Sequence, residues 1–356
     1  MFISSPMKLT KTQKAVFSAL SAYPEYSDRQ IADLLRLRRS TVTLARHALE
    51  KENIYKTYLF PTFQKLPIPF LGIIYGDYGK LGLIDYKKRM ELCPEELKIP
   101  EYVFSFSSGL CGVSMCFGYS YASLKQPFDA WSGLFKSKDP SVMIEQVYIP
   151  REMVRTYKFF DAHPYLASLF GLDPLPVRKR SKKNRAPREK ELSVLLAWMQ
   201  NPEATNSTLS QKVNLSRTAI GAIKNRLLAN DYARIIQVPE WLKLGLHLGV
   251  LLHLRFQPAA SSLLEKLERT PEVVFLVRSD SEAVALSFFS DYSAYQQTIM
   301  GIVKELQQNK LLIDEPKQVL FSLQECQSTV NALPFLEKTL LKNKIVHKER
   351  GGQKQW

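Results

Sequence analysis

Apolar residues recur at helical spacing through the first fifty positions of this chain, and then the period changes. Val16, Leu20 and their apolar neighbours predict a helix over about Lys11 to Ala22, which Pro24 ends. Ser27 or Asp28 caps a second helix whose inward face is Ile31, Leu34 and Leu35. A tight turn at Arg36-Leu37 leads to a third, over about Ser40 to Glu52, with Val42, Ala45 and Leu49 inward. Three helices with a tight turn before the third form a helix-turn-helix pattern. A short hairpin follows, in which Ile54 to Pro61 reads as a wing or as a strand leading out. Beyond residue 66 strand-like runs take over. Phe70 to Tyr75, Tyr102 to Phe106, Val113 to Phe117 and Ile144 to Ile149 predict strands, and Ile84 to Leu92 and Leu124 to Phe135 predict helices. Strand, helix, strand, strand, helix, strand is the split βαβ, ferredoxin-like order.

The plan is then repeated. Ile31 to Val42 returns as Leu209 to Ile220 at a constant offset of 178, which also carries Leu20 onto Trp198 and Leu49 onto Leu227. Pro100-Glu-Tyr-Val-Phe104 is echoed by Pro271-Glu-Val-Val-Phe275, and Pro164-Tyr-Leu166 by Pro334-Phe-Leu336. In the second copy, helices are expected over about Glu189 to Gln200, Ser207 to Val213, Arg217 to Ala229 and Ser293 to Gln308. Its strands are Val250 to Phe256, Val273 to Arg278, Ala283 to Phe289 and Val319 to Leu323. The fold class is therefore α+β, with two tandem copies of a winged helix-turn-helix followed by a ferredoxin-like βαββαβ domain. The boundaries read as winged helix 1–62, sheet domain 63–150, helical appendage 151–175 and basic linker 176–188. They continue as winged helix 189–241, sheet domain 242–325, and a helical appendage with a basic, disordered tail at 326–356.

Charge narrows the partners. The formal net charge of +15 favours polyanions. No basic amphipathic membrane helix, signal peptide or run of eighteen apolar residues occurs, so double-stranded DNA is the expected partner, no membrane is involved, and the protein reads as cytoplasmic. The outward face of the third helix is polar or basic in both copies. It comprises Arg38, Arg39, Ser40, Thr43, Arg46 and His47 in the first, and Ser216, Arg217, Thr218, Gly221, Lys224 and Asn225 in the second. Arg suits guanine edges, Asn suits adenine, and Ser or Thr suits phosphate. Arg39, Arg46, Arg217 and Lys224 are expected to matter most. Ser216 caps its helix, whereas Arg38 cannot, leaving Ser40 to cap the first. These differences imply two unlike half-sites.

Two loops at matching places in the sheets form a candidate effector site: Ser108, Gly109 and Gly112 in one, Ser279, Asp280 and Ser281 in the other. A tight hairpin needing glycine accounts for them equally well. The basic linker reads either as a tether or as a phosphate-tracking arm. Cys93, Cys111, Cys116 and Cys326 show no metal-ligand spacing and read as buried thiols, with redox sensing the alternative. His47, His163, His247, His253 and His347 are scattered without telling partners. No phosphate-binding, dinucleotide or zinc-protease motif occurs. These residues give no catalytic site, metal or cofactor.

Leu215-Ser-Arg-Thr-Ala-Ile220 with Leu227 and Tyr232, then Thr270-Pro-Glu-Val-Val-Phe275 and Ala283 to Phe289, resemble the Lrp/AsnC family of prokaryotic transcription regulators. The first copy keeps Arg39-Ser-Thr-Val42 and Pro100-Glu-Tyr-Val-Phe104. The resemblance implies a DNA-binding regulator, not an enzyme, whose sheet domains pair within one chain as a pseudo-dimer and are open to further homodimerisation. It also implies control by a small effector at the two loops, although both depart from the family's usual Gly-Asp-Tyr-Asp-like sequence. The tandem form is similar to large regulators of methane-producing archaea. Siroheme decarboxylases of haem biosynthesis look like the same two-domain module, some fused in tandem, and supply the alternative reading as an enzyme with a basic, histidine-bearing pocket.

Overall fold

The computed structural model describes residues 7–66, 68–77, 99–108, 111–176, 187–202 and 204–338. The expected helix over Ile84 to Leu92, Gly109, nearly all of the basic linker and the Lys342 to Lys354 tail lie outside them.

The first copy opens with helices α1 (Lys11–Ala22), α2 (Asp28–Leu35) and α3 (Arg39–Lys51). Thr10 caps α1 and Ser27 caps α2, each reciprocated by a glutamine three residues on. Arg36 closes α2 in the left-handed conformation, which makes the tight turn. Helix α3 starts differently from expectation. Arg38 is its N-cap residue and makes no side-chain cap bond, while Ser40 lies inside the first turn. Val16, Phe17, Leu20, Ile31, Val42 and Leu49 are fully buried between the three helices. Strand β1 (Tyr55–Pro61) leads out. Among the described residues it pairs with β7 (Ala233–Pro239), its counterpart in the second copy, and not with a strand of its own copy.

The first sheet domain comprises β2 (Phe70–Asp77), β3 (Tyr102–Ser107), β4 (Cys111–Gly118), α4 (Tyr121–Lys138) and β5 (Met143–Pro150). Gly76 is required where β2 meets β5, because a Cβ there would overlap the Met143 carbonyl. The expected helical appendage contains a strand, β6 (Thr156–Lys158), before helix α5 (His163–Phe170). In the second copy α6 (Glu189–Gln200), α7 (Asn206–Val213) and α8 (Arg217–Ala229) repeat the trihelical unit. They precede β7, β8 (Leu248–Arg255), α9 (Ser261–Arg269), β9 (Val273–Arg278) and β10 (Glu282–Phe289). Helix α10 (Tyr292–Tyr295) runs through a π-helical stretch (Gln296–Met300) into α11 (Gly301–Gln308), and β11 (Lys317–Ser322) and β12 (Gln327–Val330) are the last strands of the described chain.

Both sheets are antiparallel, ordered β5-β2-β4-β3-β12 and β11-β8-β10-β9-β6. The first four strands in each follow the ferredoxin-like order. The fifth is donated by the other copy: β6 adds to β9 and β12 adds to β3. Two compact units result, and they cut across the sequence repeat. One joins Met1–Tyr58, Glu152–Lys179 and Ile235–Cys326; the other joins Leu59–Arg151, Arg180–Arg234 and Gln327–Trp356.

In the second sheet one face is covered by α9 and α11. Val250, Leu252, Leu254, Ala283, Ala285 and Phe289 meet Leu264, Leu267, Val303 and Leu306 there. Alternation sends Leu251, His253, Glu282, Val284 and Phe288 to the opposite face. That face carries the candidate site.

Each unit needs segments from both sides of the basic linker. Proteolytic cleavage within residues 177–186 is therefore expected to leave the two fragments associated, eluting as one species in size-exclusion chromatography. Separation of the fragments without denaturant would contradict the strand donation.

Candidate functional site on the second sheet

The third helices present fewer cations than their sequence suggests. Arg46 Nε lies 2.7 Å from Asp28 Oδ1, and its Nη2 donates to the Tyr26 carbonyl at 3.2 Å. Thr43 donates to the other oxygen of Asp28 at 2.7 Å. In the second copy Asn206 replaces Asp28, and Lys224, at the position of Arg46, turns its ammonium 4.2 Å over the Trp198 ring. Burial pushes the Lys224 amine below its ordinary range. Arg46 and Lys224 thus pack their own domains. Gly221 faces the Asn206 amide, and Ser216 caps α8. Arg38, Arg39, Ser40, His47, Arg217, Thr218 and Asn225 are exposed, with His47 Nδ1 3.6 Å from Glu50.

The loops of the two sheets are serine-closed turns. Ser279 accepts from the Ser281 and Glu282 amides at 3.3 and 3.0 Å and donates to the Glu282 carbonyl. Ser108 accepts from the Cys111 amide at 3.2 Å and donates to its carbonyl in the same way. Gly112 lies in β4, opposite Gly76 and Ser107. Ser281 is exposed, and Asp280 makes a two-point ion pair with Arg155 at 2.6 and 2.7 Å.

A different set of residues converges on the face of the second sheet turned away from α9 and α11, where Leu251, Val284 and Phe288 are buried and Trp241 stacks on Phe288. His253 on β8 is 6% exposed, between the buried Leu252 and Leu254 of a mostly apolar strand. Its Nε2 is 2.8 Å from Glu282 Oε1 on β10. Glu282 pairs with Arg255 across the strands, so it reaches His253 diagonally from the same face. Lys317 on β11 is directly opposite His253. Arg255 lies two residues beyond, its Nη1 2.9 Å from Asp314 Oδ2. One buried imidazole, its carboxylate and two cations therefore share one end of the face. Sequence patterning does not reveal this set, because its members come from three strands. A histidine inside Val250-Leu-Leu-His-Leu-Arg255 was the available signal. His163 is also buried, its Nε2 3.1 Å from the Leu175 carbonyl, and it is remote in sequence from this set.

The first sheet carries the opposite charges at the same places. Tyr75 occupies the position of His253: it pairs with Val113 and Glu145 as His253 pairs with Val284 and Lys317. Asp77 opposite Cys111 stands where Arg255 stands opposite Glu282. Arg255, Lys317, His253 and Glu282 are thus matched by Asp77, Glu145, Tyr75 and Cys111.

No protein-family model matches the chain, and no curated protein matches it in sequence. The fold has solved counterparts. The crystal structure of the siroheme decarboxylase NirDL is similar over 94% of this chain and 100% of its own, with a TM-score of 0.52 and 8% identity. NirDL in complex with an iron-uroporphyrin III analogue is similar over 94% of this chain and 99% of its own, with a TM-score of 0.49 and 10% identity. AsnC from E. coli covers 38% of this chain and 93% of its own, at a TM-score of 0.30 and 15% identity.

The α+β tandem fold stands as expected. The reading of the chain as a non-enzyme does not, because a solved structure similar over 94% of the chain is that of a siroheme decarboxylase. The reason is physical: the same scaffold accommodates different sites, so a helix-turn-helix pattern fixes fold and not activity. No helix among the described residues is long and apolar enough to cross a membrane.

Glu282→Ala would remove the charged partner of a buried imidazole. The variant is expected to lose about 2–3 kcal/mol of unfolding free energy in denaturant titrations. A change within about 0.5 kcal/mol, the range of ordinary surface substitutions, would contradict the pairing.

Proposed function

We propose that this chain is a decarboxylase acting on a carboxylate-bearing iron tetrapyrrole, siroheme or a close analogue, at the Arg255 and Lys317 end of the second sheet's His253 face. The carrying observation is the buried His253–Glu282 pair flanked by Arg255 and Lys317. The two-copy architecture shared with a siroheme decarboxylase supports the same reading.

Each residue has a chemical task. Arg255 and Lys317 supply positive charge for substrate carboxylates. Decarboxylation breaks the bond between the carboxylate and its neighbouring carbon. Carbon dioxide leaves, and the electron pair stays on that carbon, which must then take a proton. His253 is the proton donor, and solvent restores its proton afterwards. Glu282 orients the imidazole. Burial excludes bulk water from the step. Asp77 and Glu145 on the first sheet repel a polycarboxylate, so the matching positions there do not form a site of this kind. The iron tetrapyrrole is the substrate, not a resident cofactor.

Purified protein incubated anaerobically with siroheme is expected to release carbon dioxide and change the visible spectrum. His253→Ala should reduce kcat at least about 100-fold. Arg255→Ala should act mainly through KM. Absence of both carbon dioxide and spectral change would overturn the reading.

A second reading is favoured by the exposed Arg38, Arg39, Arg217 and Thr218 at the starts of α3 and α8. These residues suit DNA contact whether or not the sheets catalyse. Selection from random duplexes should then enrich a two-part site with unlike halves, spaced by about one helical turn. Recovery of unenriched sequence would remove it.

A further inference from the structure

Within the unit that holds His253, strand β6 carries more polar anchoring than a three-residue edge strand requires. Arg155, just before it, donates its amide to the Arg278 carbonyl at 2.8 Å and grips Asp280 through two guanidinium nitrogens. Thr156 donates to Glu268 Oε1 at 2.8 Å, and Lys158 Nζ reaches the Glu268 carbonyl at 3.2 Å. Arg278 in turn lies 2.5 Å from Glu268. The end of β9 is thereby held from both sides, by α9 through Glu268 and by β6 through Arg155.

The turn after β9 delivers Glu282. Ser279 binds the Ser281 and Glu282 amides, and Glu282 begins β10 with its carboxylate on His253. Asp280 sits at the apex of this turn, tied to a segment 125 positions away. The Arg155 hydrogen bond holds the Asp280 carboxyl below the usual carboxylate range. Because that carboxyl is lowered in the folded state, the tether persists through the ordinary carboxylate range and is lost only as pH falls to the lowered folded-state value. On the first sheet, where Tyr75 and Cys111 replace His253 and Glu282, Gln327 opposite Ser107 matches Thr156 opposite Arg278, so the uncharged Cys326 and Thr329 stand at the places of Arg155 and Lys158.

We infer that Arg155 is a positioning residue for the proposed decarboxylation: through Asp280 it fixes the Ser279–Glu282 turn and so sets Glu282 against His253. This rests on the proposed function for its catalytic consequence, but its structural part stands alone. A two-point guanidinium–carboxylate pair has the directionality for the task, and small displacements of a catalytic group have large effects on rate.

The test uses the full chain and four variants: Arg155→Ala, Asp280→Asn, Arg155→Lys, and the charge-exchanged Arg155→Asp with Asp280→Arg. Amide hydrogen exchange at Ser281 and Glu282 reads the turn without any substrate. Arg155→Ala and Asp280→Asn should each speed exchange there about tenfold and lower kcat on siroheme about tenfold, with KM unchanged. The charge-exchanged and Arg155→Lys variants should recover much of both. Wild-type exchange and kcat in Arg155→Ala and Asp280→Asn would overturn the inference, as would loss without rescue or a change confined to KM. If wild-type protein fails to decarboxylate siroheme, the functional reading falls, and exchange at Ser281 and Glu282 still decides the positioning.

Discussion

A sheet edge presents a row of unpaired N–H and C=O groups that must be covered. In this chain the open edge of each ferredoxin-like sheet, at β3 and β9, is covered by a strand from the other copy. That constraint makes each compact unit a composite of both copies, and it accounts for a strand inside the appendage after the first sheet. It also places Arg155, from the first copy, beside the turn that carries Glu282 in the second. A duplication that merely repeated a module would leave four edges exposed; the crossed strands cover two of them.

The two copies share backbone plan but not chemistry. At matching register positions the second sheet carries Arg255, Lys317, His253 and Glu282, and the first carries Asp77, Glu145, Tyr75 and Cys111. The trihelical domains diverge similarly. Asp28 neutralises Arg46 in one, while Asn206 leaves Lys224 to seek the face of Trp198 in the other. Buried polar positions are free to change only when their partners change too. Each difference is accordingly a matched set.

Hydrophobic period made most of the fold legible. Helices α1, α2, α3 and α8 and strands β2, β4 and β10 fall within a few residues of their expected places. Period fails where elements are too short to show one. Strands β6 and β12 span only three and four residues. Strand partners are not encoded in period at all: Ile54 to Pro61 was legible as a wing or a strand leading out, but not its pairing with β7. The site was legible only in part. Outward position on α3 and α8 was correct for Arg39 and Arg217, but long side chains fold back, as Arg46 and Lys224 do. The polar set around His253 comes from three strands, and only the register brings it together.

The role proposed for the second sheet depends on where a polycarboxylate tetrapyrrole binds. The most direct measurement is a crystal structure of the full chain soaked with an iron tetrapyrrole bearing carboxylate side chains. The expected result is ligand carboxylates at Arg255 and Lys317, with one substituent within hydrogen-bonding reach of His253. Ligand seated instead beside Tyr75 and Glu145, or away from both sheets, would contradict it.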